Sequence, residues 1–285
     1  MQWLASGLRF IRNGQMMKTK KILFTDLDGT LLDDNKQISR RTYEVLDAFT
    51  AAGHALVLSS GRDTNSVGDV KEELGLHFPG VFLIGYNGGQ IYDCDQKKTV
   101  YRVALKKEQA VRIIETALLM DVHCHTYNET HIITPLNGSA FLYYQRIIRT
   151  PVIYAANLQD AIDIDPCKCI AVELEDQNKL HRFREKIHQQ YDDVTTMFSS
   201  PVYLELFPAA SGKGTALTKL CEILHIPITN SIAAGDQEND LTMLEAAGTS
   251  IAMSNGLEKL KKNAAIVTAF DNNHDGLARV LENYL

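Results

Sequence analysis

The sequence predicts an α/β fold: a doubly wound, parallel-sheet core interrupted by an inserted α+β block. Short apolar runs alternate with amphipathic stretches at the start of the chain, and the same rhythm returns near its end. Between these two regions the apolar runs pair across polar turns, as hairpins do.

The core elements follow in order. KILFTDL, ending at Leu27, is an apolar run closed by acidic residues, which suits a strand buried on both faces. Ser39 to Ala52 reads as a helix, ALVLSS from Ala55 as a strand, Asn65 to Leu74 as a helix, and VFLIG from Val81 as a third strand. Late in the chain, Gly214 to Leu224 is helical, SIAAGD is a strand, Asn239 to Ala246 a helix and TSIAM a strand. Gly256 to Lys262, the short run AAIVT, and Gly276 to Tyr284 complete the alternation.

The middle is different. IYD and TVYRV flank a polar turn, Lys106 to Met120 is a helix, and VHCHTY with HIIT forms a second hairpin. Phe141 to Arg149 reads as a short helix, and CIAVEL, a helix over Asn178 to Gln190, TTMF and VYLEL follow. The expected organisation is an N-terminal extension over 1–19, a core from 20–86 and 200–285, and an inserted block over 87–199.

The chain has 285 residues, more than one compact core usually holds, in keeping with two units. Net charge is −6 and no Lys/Arg-rich block is present, which speaks against a nucleic-acid partner. The apolar runs are too short to span a bilayer. The first residues lack the apolar core of an export signal, so a cytoplasmic chain with five free thiols is expected. Oligomeric state is not legible.

Four features fall at expected strand ends, the edge where open parallel sheets bind ligands. In DLDGTLL, Asp26 and Asp28 flank one residue and are followed by Gly29. Such a carboxylate pair is costly unless a cation or protons neutralise it, and Mg²⁺ favours carboxylates together with phosphate oxygens. Asp26 is the candidate nucleophile and Asp28 the candidate acid and base. In SSGR, the Ser60 hydroxyl and the Gly61 amide are candidates for phosphate oxygens. In SGKGTAL, Lys213 opens a helix, so a cation and a helix N-terminus can converge on an anion. A P-loop is excluded, because Gly rather than Ser or Thr follows Lys213. In AAGDQEND, Asp236 is a candidate metal ligand, with Asn239 and Asp240 in reach of phosphate, Lys213 or metal-bound water.

Taken singly, each feature has a plain structural reading, as a polar turn or a helix cap. Together they supply a nucleophile, an acid, phosphate donors, an ammonium group and a third carboxylate. DLDGTLL, SSGR, Lys213 and GDQEND resemble the four motifs of the haloacid dehalogenase-like phosphatases. Asn87-Gly88-Gly89, SIAMSNG and DNNHDGLA resemble the Cof-type branch, with its large cap. Ser60 stands where Thr is commoner, and Gly212 where a polar residue is usual.

The resemblance implies a Mg²⁺-dependent phosphatase working through an aspartyl-phosphate on Asp26. It places Mg²⁺ on Asp26, the backbone carbonyl of Asp28 and Asp236. Phosphoryl oxygens fall to Lys213, Ser60, Asn239 and the amides of Leu27 and Gly61, with Asp240 in support. The inserted block becomes a lid, and its size favours small phosphorylated metabolites, sugar phosphates above all. A phosphomutase or phosphotransferase is the nearest rival, and release of phosphate into water with no acceptor separates them. A non-catalytic phosphometabolite binder is the other, and it has no need of a nucleophile. His123-x-His125 and Cys167-x-Cys169 read as ordinary packing residues of the inserted block.

Overall fold

Five-residue apolar runs that are buried along their whole length have no solvent face, and such strands assemble side by side within a layered sheet. Ile22–Asp26, Ala55–Ser59, Val81–Gly85 and Ser231–Gly235 are all of this kind. The computed structural model describes residues 11–12, 15–16, 20–146 and 148–285. The expected extension over 1–19 therefore lies outside the described residues, apart from β1 (Ile11–Arg12) and β2 (Gln15–Met16), which pair with each other.

The chain continues through β3 (Ile22–Asp26), α1 (Arg40–Ala51), β4 (Ala55–Ser59), α2 (Thr64–Glu73), β5 (Val81–Gly85), β6 (Gln90–Asp93) and β7 (Lys98–Arg102). Next come α3 (Lys107–Leu119), β8 (His123–Tyr127), β9 (Ile132–Thr134), α4 (Ser139–Gln145), β10 (Val152–Tyr154) and α5 (Leu158–Ala161). They are followed by β11 (Cys169–Val172), α6 (Gln177–Gln190), β12 (Val194–Ser200) and β13 (Tyr203–Pro208). The last stretch holds α7 (Lys213–Ile223), β14 (Ser231–Gly235), α8 (Leu241–Ala246), β15 (Thr249–Ala252), α9 (Glu258–Asn263), β16 (Ile266–Val267) and α10 (Gly276–Leu281).

The larger sheet has the order β16-β15-β14-β3-β4-β5-β6-β7. Its strands from β16 to β5 are parallel, and Asp26 stands beside Ser59 in register. The C-terminal ends of β3, β4 and β14 thus share one edge. Two apolar layers cover the sheet, one built around Leu46, Phe49 and Leu56, the other around Phe24, Leu217 and Leu220. In α1, Ser39 caps the first turn by accepting from Thr42 N, and Thr42, Val45, Leu46 and Phe49 form the buried face.

The smaller sheet has the order β10-β9-β8-β11-β13-β12 and its own core, including Ile113, Ile114, Cys124, Leu180 and Phe183. An α/β core with an inserted α+β layer is the architecture expected. The boundaries expected at 86/87 and 199/200 differ from the sheet memberships. The hairpin β6–β7 joins β5 antiparallel in the larger sheet, because Ile91 buries itself beside Ile22, Phe24 and Ile84. Tyr203–Pro208 belongs to the smaller sheet, where it pairs with β11 and β12 and packs Leu204 and Leu206 inward. The changes of sheet therefore come after Arg102 and after Pro208.

Candidate active site

The site is assembled at the shared strand edge. Asp26 ends β3, and its carboxylate meets the ammonium group of Lys213, the first residue of α7, at 2.6 Å. The same ammonium is 2.6 Å from Asp240 Oδ1. Lys213 is fully buried, so these two acids are its compensation for lost water. The other oxygen of Asp240 accepts from the backbone N–H groups of Asp236 and Gln237, both at 3.0 Å, and so closes the turn after β14. Asp236 follows β14 directly. Its Oδ1 accepts from Thr30 Oγ1 at 2.8 Å and its Oδ2 from Gln237 Nε2 at 3.0 Å.

Two glycines are required by this packing. Gly29 has φ +80, and a Cβ there would lie 2.6 Å from Asp236 Oδ2. Gly88 has φ +99, and a Cβ there would lie 2.2 Å from Gly212 O, just ahead of Lys213. The glycine of Asn87-Gly88-Gly89 thus lets the β5–β6 turn press against the start of α7.

Carboxylate oxygens of Asp26, Asp236 and Asp240 all lie within 4.8 Å of one another. Burial drives the Asp26 pKa up to about 7, against the pull of Lys213 and with help from Asp240 and Asp236. Asp236 is raised as well, chiefly by burial, although hydrogen bonds from Thr30 and Gln237 oppose it. Burial works to lower the Lys213 pKa, but Asp26 and Asp240 outweigh it and the net shift is upward. Three carboxylates against one ammonium leave the cluster two positive charges short. All the donor atoms are hard oxygens, and a Mg²⁺ ion fits both the charge and the donor set. With Asp240 taken up by Lys213 and two amides, Asp26 and Asp236 remain to hold such an ion.

Asp28 lies apart from this cluster. Its half-exposed carboxylate accepts two hydrogen bonds from Arg62 Nη2, at 2.9 and 2.7 Å, and one from Lys36 Nζ at 2.8 Å. Burial would raise its pKa, but Lys36 and Arg62 overcome that and hold it below the usual carboxylate value. The Leu27 side chain is core, and its carbonyl accepts from Leu31 N and Leu32 N, which shapes the turn after β3. Ser60 and Gly61 follow β4, and Ser60 Oγ accepts from Arg62 N at 3.2 Å. Asn239 donates to Asn87 Oδ1 at 3.3 Å.

Several residues at the site escape the sequence reading. Thr30 sits inside DLDGTLL, and its hydroxyl was a usable signal. Lys36 lies past the turn and carries no signal beyond its charge. Lys168 and Glu205 reach the site from the smaller sheet and form a buried ion pair at 3.1 Å. His123 and His125 are buried among Phe141, Tyr127 and Tyr144, away from the acidic cluster. Cys167 and Cys169 are buried and free.

Acidic residues at a parallel-sheet edge, a buried ammonium and a hydroxyl-bearing turn are parts that a phosphoryl-transfer site requires. A family model for haloacid dehalogenase-like hydrolases matches residues 23–281. The chain belongs to that family and is a phosphatase of it. It is 28% identical to the 5-amino-6-(5-phospho-D-ribitylamino)uracil phosphatase YwtE of Bacillus subtilis, over 93% of this chain and 98% of that one. It is 27% identical to the pyridoxal phosphate phosphatase YbhA of Escherichia coli, over 94% of this chain and 99% of that one. Among solved structures, a haloacid dehalogenase-like hydrolase from Bacteroides thetaiotaomicron superposes with a TM-score of 0.84 at 30% identity. That match covers 94% of this chain and all of the other. Among the described residues no helix is long and apolar enough to cross a membrane.

Proposed function

We propose that this phosphatase hydrolyses small phosphate monoesters, sugar phosphates among them, through an aspartyl-phosphate on Asp26, with Mg²⁺ as cofactor. The observation that carries the reading is the buried meeting of Asp26, Lys213, Asp236 and Asp240. Asp26 is fixed at one oxygen by Lys213, which leaves the other to attack phosphorus. Lys213 then neutralises charge building on the transferring group. Mg²⁺, when bound by Asp26, Asp236 and the Asp28 carbonyl, would supply the remaining charge neutralisation. Ser60, Asn239 and the amides of Leu27 and Gly61 orient the phosphoryl oxygens.

Asp28 protonates the departing oxygen and later removes a proton from water. The ionised form favoured by Arg62 and Lys36 suits the second of these tasks. For the first, Asp28 must leave those partners and turn toward Asp26.

The leaving group has room beside the site. A cavity of about 510 Å³ is lined by Gly61, Arg62, Lys168, Tyr203 and Glu205, and it lies next to the cluster rather than over Asp26. Lys168 pairs with Glu205, and Arg149 with Glu73, so its fixed charges largely cancel. The Tyr203 hydroxyl is buried there with no partner among the described residues. A neutral, hydroxyl-rich leaving group matches such walls better than a charged one. Relatives named for a phospho-ribityl compound and for pyridoxal phosphate fit the same size class.

The test is phosphate release from a panel of sugar phosphates and other monoesters, with Mg²⁺ and with chelator, for wild type and Asp26→Asn. Mg²⁺-dependent release in water, lost in Asp26→Asn, is the expected result. Turnover that survives either change overturns the reading, and release only when an acceptor sugar is added points to a phosphotransferase.

A further inference from the structure

The turn after β4 is held at almost every backbone group. Ser60 N donates to Ile84 O at 2.9 Å, and Ser60 O accepts from Asn87 N at 3.1 Å. Arg62 O accepts from Tyr86 N at 2.8 Å, while Arg62 N donates to Ser60 Oγ at 3.2 Å. Gly61 O accepts from the ammonium group of Lys168 at 2.9 Å. The Gly61 N–H makes no hydrogen bond among the described residues. What this turn has left to give is one amide hydrogen and the hydrogen of the Ser60 hydroxyl, which is the donor set of an anion cradle.

Lys168 reaches this turn from the other sheet. It directly precedes β11, and its side chain is 4% exposed. Glu205, opposite Ile170 in β13, accepts from it at 3.1 Å. The rings of Tyr86 and Tyr127 stand 5.9 and 5.7 Å from its ammonium nitrogen. Glu205 also accepts from Asn87 Nδ2 at 3.2 Å, and Asn87 in turn accepts from Asn239. Burying an ammonium group is costly, and an apolar side chain would pack this junction at lower cost. Beyond its pairing with Glu205, the ammonium group gives a hydrogen bond to one backbone carbonyl of the turn.

We propose that Lys168, held by Glu205, is a positioning residue through which the inserted layer sets the phosphate-binding turn. The proposal rests on the reading that Ser60 and Gly61 hold phosphoryl oxygens. Lys168 fixes the oxygen of the Gly61–Arg62 peptide, and the N–H of that same peptide is thereby aimed at Ser60 Oγ. The Ser60 hydroxyl, already accepting one hydrogen bond, keeps its own hydrogen to donate, next along the chain from the free Gly61 amide. In a low-dielectric setting each link of such a chain polarises the next. The smaller sheet therefore contributes to phosphate binding without touching phosphate, and opening of the two layers would slacken the turn.

The experiment measures inhibition by inorganic phosphate, with p-nitrophenyl phosphate as substrate. Variants are Lys168→Met, Lys168→Arg, Ser60→Ala, the pair Lys168→Met with Ser60→Ala, and the pair Lys168→Met with Glu205→Gln. The last removes both buried charges together, so folding is not burdened by an unpaired carboxylate. Lys168→Met, alone or with Glu205→Gln, is expected to weaken phosphate inhibition roughly tenfold or more, the scale of a hydrogen bond to a charged group. Half-saturation by Mg²⁺ stays within about twofold, and Lys168→Arg recovers most of the loss. The combined Lys168 and Ser60 changes fall short of additive, as for groups in one network. Lower kcat with unchanged phosphate inhibition in both Lys168→Met proteins would mark a purely structural role and overturn the proposal, as would full additivity. An unchanged inhibition constant in Ser60→Ala would instead remove the phosphate-site reading, and the proposal with it.

Discussion

Lys213 Nζ lies 2.6 Å from Asp26 Oδ1, although 187 positions separate the two residues in the chain. The contact is buried, and Asp240 completes it from the opposite side. Removing the ammonium leaves two carboxylates facing each other without water. Lys213→Met is therefore expected to destabilise the cation-free protein by about 3–5 kcal/mol, the usual consequence of breaking one side of a buried ion pair. Urea unfolding with and without Mg²⁺ measures it. Mg²⁺ should restore part of the stability but not the turnover, since the charge facing the transferring group is gone. Unfolding midpoints equal to wild type would show that the acids are held by something else.

Thr30 Oγ1 holds Asp236 Oδ1 at 2.8 Å and so orients the carboxylate expected to face Mg²⁺. Losing an outer partner of a metal ligand typically costs about 10–100-fold in affinity. Thr30→Val keeps the shape and removes the hydroxyl. The Mg²⁺ concentration for half-maximal turnover should rise within that range, with kcat at saturating Mg²⁺ much less affected. A Mg²⁺ curve that does not move would separate Asp236 from the cation.

Arg62 and Lys36 keep the Asp28 pKa low. Arg62→Met removes the two-bond partner, so the Asp28 pKa should rise. Under the proposed mechanism the acid must be protonated and the base ionised in turn, so the acidic limb of the kcat profile moves to higher pH. The profile is read from pH 4 to 9 on p-nitrophenyl phosphate. An acidic limb in the same place would mean that Asp28 does not control the rate there.

His123 and His125 are buried in the smaller sheet, where ring nitrogens His123 Nδ1 and His125 Nε2 have no partner among the described residues. Burial lowers the His123 pKa to about 4. Burial also depresses His125, well below the usual value, with His123 and Lys168 adding to the effect. Both histidines are neutral when folded and charge on unfolding below their ordinary value of 6.5. The unfolded chain therefore binds more protons in this window, and stability falls as pH drops from 6.5 toward 4. Each histidine contributes up to about 1.4 kcal/mol per pH unit there. His125→Phe, among Phe141, Tyr127 and Tyr144, should flatten the loss of stability between pH 7 and pH 5. Denaturant midpoints at those two values decide it, and an unchanged slope would show that His125 does not titrate on unfolding.

Much of the candidate site was legible in the residues because its chemistry sits where apolar runs stop. Asp26 ends an uninterrupted buried strand, Ser60 and Asp236 each follow one, and parallel strands that stop together bring such residues to one edge. Lys168 and Glu205 could not be found in this way. A lysine before a strand and a glutamate within one look like solvent-facing positions, and only the packing of one sheet on the other buries them. The same limit misplaced the β6–β7 hairpin and β13, since a hairpin's own pattern is identical whichever sheet accepts it.

The order of apolar and acidic segments thus determined the parallel core and the edge where its acidic residues gather, while the motifs at that edge carried the resemblance to the family. The tertiary structure alone decided that Lys213 stands between Asp26 and Asp240, that Asp28 is held off by Arg62 and Lys36, and that the inserted layer reaches the turn at Gly61. Local periodicity records which face of an element is buried, but not which distant side chain it is buried against. Charge pairing in a low dielectric depends on that second fact.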